Sequence, residues 1–163
     1  MGPTDDQKRF PRAAAWFASR RWGRNLSAWI YTPLDKLLYR VTRGRRGLSP
    51  PATVLLLTTV GRKTGQPRQV PVLYLRDGRR MWVVASNYGQ ERHPAWSANL
   101  LANPHATVTI RGTRQQVRAR LATEDEKAAL WPRLLELYPA WKAYVTWTDR
   151  SFRVFCLEPR GPT

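Results

Sequence analysis

A cluster of cations around two glycines is the first feature of this sequence that could do chemistry. In the segment "GRKTGQPR", Gly61 and Gly65 permit a tight turn. Three cations surround that turn: Arg62, Lys63 and Arg68. Glycines at a turn expose backbone N–H groups, and exposed N–H groups ringed by cations bind phosphate. The segment therefore predicts a phosphate-binding hairpin. The alternative is an exposed turn that is basic only because the whole protein is basic.

A second candidate feature is a series of aromatic side chains that recur every third residue: Tyr138, Trp141, Tyr144 and Trp147. This spacing produces a stripe that drifts slowly around a helix. Such stripes usually pack into a core, and that is the simpler interpretation. Buried Tyr and Trp also carry polar groups that need partners, so the stripe equally suits the wall of a pocket for a flat conjugated molecule.

The balance of charge indicates an anionic partner. The 163-residue chain carries 28 Lys and Arg against 11 Asp and Glu, a formal net charge of +17. This exceeds what solubility requires, so the partner is a nucleic acid, a membrane surface or a phosphorylated small molecule. Nucleic acid is the least favoured of the three, because the cations are scattered along the chain and no nucleic-acid-binding motif is present.

Other familiar chemistries lack the residues they need. The sequence contains no GxGxxG, Walker, GxSxG or HExxH motif. With only His93 and His105, we expect neither a metal site nor a histidine-based nucleophilic triad. The single cysteine, Cys156, is expected to be a buried structural thiol.

The elements that must position these residues begin after residue 52 with six strand-like runs. They cover residues 53–59, 68–75, 80–86, 106–112, 114–122 and 152–157. The basic hairpin joins the first two runs, and Asp77-Gly78 is a strong hairpin signal between the second and third. With helices inserted late in the chain, these runs predict a small closed or half-closed barrel of the α+β class.

Helical segments are expected among these strands. Residues 93–104 predict a short helix, and Thr123 with Glu126 forms a capping box that opens a helix over residues 124–138. Pro132 should kink or split that helix. A further aromatic helical stretch covers residues 139–147.

The N-terminal region has a different character. Residues 13–41 repeat large apolar side chains at helical spacing, interrupted at Pro33, and their polar positions are rich in Arg. Two short amphipathic helices are predicted, which either pack on their own domain or lie on an anionic membrane surface. We therefore divide the chain into an N-terminal amphipathic helical segment, residues 1–50, and a barrel, residues 51–163, within one structural domain overall.

Taken together, these pieces resemble the deazaflavin (F420)-dependent nitroreductase and quinone reductase family. The matching segments are "LLLTTVGRKTGQPRQVPVLYL", "VVASNYG", "HPAWSANLLANP", "LYPAWKAYVTWTDR" and "VFCLEP", in the family's order and spacing. The resemblance implies a split β-barrel and, as cofactor, coenzyme F420, an 8-hydroxy-5-deazaflavin. FMN is the less favoured ligand.

The same resemblance implies a role for individual residues. Those that would hold the phosphodiester end of the cofactor lie on the basic hairpin: Arg62, Lys63, Thr64, Gly65 and Arg68. Two that would follow along the cofactor come next: Pro71 and Val72. Those that would run past or support the deazaflavin ring are Ala85, Ser86, Asn87, Trp96 and Asn99. Those that would form the catalytic, acceptor side are Tyr138, Trp141 and Tyr144, the last as proton donor or orienting hydroxyl.

Three positions depart from the family's pattern. Tyr88 stands where glycine is usual, Ser97 occupies the tyrosine position of the usual W-Y-x-N, and Trp141 stands where a tyrosine often lines the substrate pocket. We expect these changes to affect the choice of acceptor more than the choice of cofactor.

The leading hypothesis is an F420H2-dependent oxidoreductase that passes a hydride to a quinone or a nitroaromatic acceptor. The alternative is a non-catalytic split-barrel protein that binds F420, FMN, haem or a fatty acid. Besides the small-molecule acceptor, the expected partners are a second copy in a homodimer and, through the N-terminal helices, a membrane surface. Because the sequence contains neither a signal-peptide core nor an apolar run of about 20 residues, we expect a cytoplasmic protein with possible peripheral contact at the inner face of the cell membrane.

Overall fold

The computed structural model describes residues 37–38, 41–42 and 54–160. Six strands and three helices follow residue 53: β1 (Val54–Val60), β2 (Pro67–Asp77), β3 (Arg80–Ala85), α1 (Ala95–Ala102), β4 (His105–Ile110), β5 (Thr113–Leu121), α2 (Glu124–Leu137), α3 (Trp141–Tyr144) and β6 (Arg153–Pro159). Residues 37, 38 and 41 are helical. The remainder of the two predicted N-terminal helices lies outside the described residues.

The six strands close into one barrel with the order β1-β2-β3-β6-β5-β4. Every neighbouring pair is antiparallel, and β4 pairs with β1 to complete the ring. The expected barrel is therefore confirmed, and each predicted strand lies within two residues of its observed bounds. Closure matters because it leaves no unpaired edge in the sheet.

The barrel interior is filled by alternate side chains of the strands. Leu55 and Leu57 of β1 and Phe155 of β6 point inward, where they are buried with residues from the other strands. Trp96 and Leu100 of α1 join the same cluster, so this helix closes one end of the barrel. Strand alternation thus puts one set of side chains inside and leaves the other for a second layer.

That second layer is formed by α2 and α3 on the outer face of β2, β3 and β6. Leu134 of α2 and Trp141 of α3 share a buried cluster with Trp82 of β3 and Cys156 of β6. The cysteine is a free, fully buried thiol, as expected. The aromatic stretch after residue 138 therefore packs against β3, the strand that ends at Ala85.

Helix α2 begins at the predicted capping box but does not break at Pro132. Thr123 accepts from the Glu126 amide, and the Glu126 carboxylate accepts from the Thr123 amide. Arg120 donates two bonds to the same carboxylate, and this pairing, with the capping bond, lowers the pKa of Glu126 to about 2. The predicted split at Pro132 is wrong, because the helix continues to Leu137 and the proline leaves a single backbone bond unmade.

The strand register brings the candidate residues to one end of the barrel. The basic hairpin follows Val60, the last residue of β1. Strand β4 begins at the same end of the barrel, because Ala106, its second residue, pairs with Thr59. Strand β3 ends at Ala85, which pairs with Arg153 at the start of β6. The basic hairpin, the residues after Ala85 and helix α1 therefore lie at the same end, whereas the Asp77–Arg80 turn lies at the other.

Candidate active site

The basic hairpin is a tight turn whose backbone is bonded to the protein itself. The Gly61 amide donates to the Gln66 carbonyl, and the Thr64 and Gly65 amides donate to the Gly61 carbonyl. The Gln66 amide donates to the Thr64 hydroxyl, and the Arg62 amide donates to Asn99 Oδ1. A Cβ on Gly61 would lie 2.8 Å from Thr64 Oγ1 and 3.1 Å from the Gln66 carbonyl oxygen, so a larger residue there would require the turn to shift. The expectation that Gly61 and Gly65 expose their amides is therefore wrong, because the compact turn uses these N–H groups internally.

The side chains of the hairpin, in contrast, are available to a ligand. Arg62, Lys63 and Arg68 are exposed. Within the part of the chain that the structure describes, none of the three forms an ion pair. Three unneutralised cations on a rigid turn bind an anion by charge-assisted hydrogen bonds. The groups of the hairpin that are free to meet an anion are thus its side chains.

Helix α1 connects the hairpin to the end of β3. Asn99 is buried, donates to Thr59 Oγ1 at 3.0 Å and accepts from the Arg62 amide at 3.1 Å. Two residues earlier in the helix, Ser97 Oγ accepts from Arg153, which pairs with Ala85. The resemblance placed Asn99 on the ring side, but its side chain contacts the hairpin, because residues two positions apart in a helix face opposite sides.

The residues after β3 form a strained left-handed turn. Asn87, Tyr88 and Gly89 have φ values of 46°, 55° and 70°. A left-handed conformation costs about 1–2 kcal/mol for each residue with a Cβ, and such strain concentrates at functional sites. Gly89 is required here because a Cβ would lie 3.0 Å from the Tyr144 carbonyl oxygen. The turn is thus pressed against α3.

Arg150 fastens this turn, although its role was not predicted from the sequence. Its guanidinium donates to the carbonyl oxygens of Ala85, Ser86 and Gln90 at 3.2, 2.5 and 2.7 Å. It also lies 3.1 Å from His93 Nδ1. The sequence signal was weak, because Arg150 is one of many arginines and stands 64 residues from Ser86.

The protonation of His93 depends on its burial and on the two guanidinium groups near it. Burial lowers the pKa of His93, and the cations Arg153 and Arg150 lower it further. A neutral imidazole can accept the Arg150 N–H, whereas a protonated one would place a like charge beside it. His93 therefore completes the fastening of the turn in its neutral form.

The three predicted catalytic aromatics lie together in the core. Tyr138, Trp141 and Tyr144 are 6%, 2% and 1% exposed. The two tyrosine hydroxyls lie 3.0 Å apart, and Trp141 Nε1 donates to Ser86 Oγ at 3.2 Å. Burial raises the pKa of Tyr138 to about 12, and its hydrogen bond with Tyr144 offsets part of the rise. Trp141 thus contacts one of the predicted ring-side residues, Ser86, directly.

The predicted aromatic stripe is not one continuous helix. Tyr138 is the C-cap of α2, whereas Trp141 and Tyr144 belong to the single turn of α3. Tyr88 packs edge-on against Tyr144, with 6.3 Å between ring centroids. The position that is usually glycine in the family thus contributes a ring to this cluster.

The remaining predicted residues divide between strand and core. Pro71 and Val72 are half-buried on β2, where they pair with Leu56 and Leu55. Trp96 is buried inside the barrel, 5.7 Å from the ring of Phe155. A groove of about 630 Å³ runs between α2 and the α3–β6 connection, and none of the predicted site residues lines it.

Two further classes of feature are absent from the described part of the chain. Its residues contain no group of three or more His, Cys, Asp or Glu that could hold a metal ion. No helix among them is long and apolar enough to cross a membrane.

Comparison with known proteins identifies the family and its cofactor. Residues 34–159 match the model of the F420H(2)-dependent quinone reductase family. The chain belongs to this family. It is therefore an F420H2-dependent oxidoreductase, and coenzyme F420 is its cofactor.

Individual relatives agree with this assignment. A putative F420H(2)-dependent quinone reductase of Mycobacterium tuberculosis is 40% identical over 114 residues, which are 70% of this chain and 96% of the relative. A solved F420-H2 dependent reductase is 34% identical, with a TM-score of 0.60, over 65% of this chain and 94% of its own. A structure described as a domain-swapped dimer is 31% identical, with a TM-score of 0.63, over 84% and 97% of the two chains.

Proposed function

We propose that this protein is a quinone reductase that holds F420 between the basic hairpin and the left-handed turn after β3. The observation that carries the proposal is the pair of side-chain contacts along α1. Asn99 ties the hairpin at the Arg62 amide, and Ser97 ties the helix to Arg153 beside Ala85. One rigid element thus sets the spacing between an anion-binding turn and the strand end that precedes Ser86.

The hairpin side chains fit the anionic end of the cofactor. Arg62, Lys63 and Arg68 would bind the phosphodiester, and Thr64 already orients Arg68, whose Nη2 lies 3.5 Å from Thr64 Oγ1. Gly65, with φ of +66°, keeps the tip of the turn open, since nothing lies within 4 Å of a Cβ built there. Pro71 and Val72 would offer an apolar strand surface to the middle of the cofactor.

The turn after β3 fits the ring end. Ser86 Oγ accepts from Trp141, so its own proton can be directed to a ligand. Ala85 and Asn87 flank this hydroxyl, and Asn87 is held by its bond to the Arg92 carbonyl at 2.8 Å. When bound, reduced F420 supplies the hydride. The protein's part is to orient the acceptor, exclude water and deliver a proton.

The acceptor we propose is a quinone, with nitroaromatics as opportunistic substrates. A quinone needs one hydride and one proton to become a quinol. Tyr144 is the proposed source or relay of that proton, paired with Tyr138 in the core. Because Tyr144 is 1% exposed, a ring packed on it, such as that of Tyr88 or Trp147, must shift for an acceptor to reach it. Tyr88 and Trp141 would then select the acceptor's shape.

The test is a titration with F420 followed by intrinsic tryptophan fluorescence, then turnover of F420H2 with a soluble quinone. Arg62→Glu should raise the Kd for F420 about tenfold or more, because a charge-assisted hydrogen bond contributes about 1.5–3 kcal/mol. The matched control is Arg79→Glu, an exposed cation in the hairpin at the opposite end of the barrel. Equal loss of affinity in both variants would show a general charge effect and reject the hairpin site.

Turnover separates the enzyme from its alternative. A protein that binds F420 but never oxidises F420H2 with quinones or nitroaromatics would be the non-catalytic binding protein, and the quinone reductase proposal would be wrong. Preference for FMN would likewise reject it.

Two partner proposals are independent of the acceptor. We propose a homodimer, supported by the domain-swapped dimer among the similar structures; a monomer mass by light scattering at assay concentration would contradict it. We also propose peripheral membrane contact through residues 1–50, because of their Arg-rich amphipathic pattern. Equal co-sedimentation with anionic and neutral vesicles would reject that contact.

A further inference from the structure

We infer that Arg150 is a positioning residue that holds the cofactor's ring-side turn in its binding conformation. The inference rests on the proposed function, since it assigns a role within the same site. It concerns a side chain that approaches the turn from the α3–β6 connection. Arg150 lies between Tyr144 and Arg153, outside the strands that carry predicted site residues.

The first support is the placement of the four acceptors. Arg150 bonds Ala85 and Ser86 before the left-handed turn, and Gln90 and His93 after it. The planar guanidinium presents its donors in a fixed fork, so it fixes the distance between the entry and the exit of the turn. A flexible ammonium could satisfy one or two of these acceptors but could not fix all four.

The second support is the conformation that Arg150 restrains. Asn87 and Tyr88 occupy the left-handed region, which asparagine tolerates but a bulky side chain such as tyrosine adopts only under restraint. The turn's own backbone bonds are few: the Gly89 amide donates to the Ser86 carbonyl, and the Gln90 amide donates to the Asn87 carbonyl. Residues held in strained conformations persist when their surroundings over-determine them, and Arg150 supplies that restraint from outside the turn.

The third support is the absence of a counter-ion. Arg150 is half-buried, and no carboxylate among the described residues forms an ion pair with it. Its acceptors are neutral carbonyl oxygens and an imidazole, and the Phe152 ring lies 4.8 Å from Cζ. Burying part of a cation without a carboxylate partner lowers the stability of the folded protein, so stability alone does not explain this arrangement. The arrangement is understandable if it serves the geometry of the Ser86 hydroxyl.

The test compares Arg150→Met and Arg150→Lys with a matched control, Arg133→Met. Arg133 is also half-buried and donates to a backbone carbonyl, that of Arg76, and to Asp77 at the opposite end of the barrel. All measurements use the full chain at a temperature well below every variant's Tm. Amide hydrogen exchange reports the turn without cofactor, and F420 titration reports binding.

We expect Arg150→Met to speed exchange at Gly89 and Gln90 at least tenfold and to raise the Kd for F420 at least fivefold, with the KM for quinone unchanged. Arg133→Met should change neither. Arg150→Lys should recover less than half of the affinity that Arg150→Met loses, on a logarithmic scale, because charge alone does not restore the fork. If the Met variant fails to fold, the Lys variant is compared with the wild-type protein and should still exchange faster and bind F420 more weakly.

Three results would overturn the inference. Unchanged exchange in both Arg150 variants would mean that Arg150 does not hold the turn. Faster exchange with unchanged Kd would mean that the turn's geometry does not matter to the cofactor. Full recovery with Lys would assign the effect to charge. In each case the proposed function survives, whereas failure of the wild-type protein to bind F420 would overturn both.

Discussion

Asn99 provides the most direct test of how the fold sets the site. Asn99→Ala removes two hydrogen bonds, one from Nδ2 to the buried Thr59 hydroxyl and one from the Arg62 amide to Oδ1. Without them the basic hairpin keeps its internal turn but loses its attachment to α1. We therefore expect both stability and F420 affinity to fall.

The stability cost follows from the burial of the two partners. Thr59 is 1% exposed, so its lost bond costs about 1–1.5 kcal/mol, while the Arg62 amide lies on an exposed residue and regains water for about 0.5–1 kcal/mol. The total of about 2 kcal/mol corresponds to a Tm lower by about 4–8 °C in a chain of this size.

The affinity cost follows from displacement of the hairpin cations. If the variant loses about 1 kcal/mol of charge-assisted bonding to the phosphodiester, the Kd for F420 rises about fivefold. Turnover at saturating F420 should remain, because the acceptor side is untouched. Fluorescence titration gives the Kd, and thermal unfolding gives the Tm.

The matched control is Asn103→Ala, at the C-cap of the same helix. Asn103 Oδ1 accepts from the His105 amide at 3.0 Å, so this variant also loses an amide hydrogen bond. It should lower Tm by about 2–4 °C and leave the Kd for F420 unchanged. The reasoning is refuted if Asn99→Ala loses stability but keeps its affinity, or if Asn103→Ala raises the Kd as much.

Three further changes have expected outcomes. Tyr144→Phe should reduce turnover more than F420 affinity, since it removes the proposed proton relay; equal loss in both measurements would make Tyr144 a packing residue. Gly89→Ala should lower the free energy of unfolding by about 2–4 kcal/mol because of left-handed strain and a clash with the Tyr144 backbone. Gly65→Ala, which has open space at its Cβ, should lower it by about 1 kcal/mol. Similar losses for the two variants in chemical denaturation would contradict this. Because pairing with Arg120 lowers the pKa of Glu126 to about 2, its contribution is present above pH 4.5 and is lost between pH 4.5 and 2. Glu126→Gln should therefore flatten the acid limb of the stability curve, and an unchanged limb would refute the pairing.

Local sequence signals determined most of the secondary structure. The Asp77-Gly78 hairpin formed where it was predicted, with φ of 59° at Gly78, because only glycine adopts that conformation without strain. The capping box of Thr123 and Glu126 likewise acts within one turn of helix. At Pro132 the local signal for a helix break competed with tertiary packing, and packing prevailed. Helix α2 continues because burial of residues on both sides, such as Leu130 and Leu134, outweighs one missing hydrogen bond.

The sequence also indicated the cofactor through its family pattern, whereas the three cations on the glycine turn left phosphate binding as a prediction. Only the tertiary structure decided how the site is held. Asn99 meets Arg62 across 37 residues, and Arg150 meets Ser86 across 64, so no local pattern encodes either contact. The sequence left the aromatic stripe compatible with core or pocket, and the fold buries three of its four members: Tyr138, Trp141 and Tyr144. Burial depends on what the barrel and α2 place against each side chain, and that is a property of the whole fold.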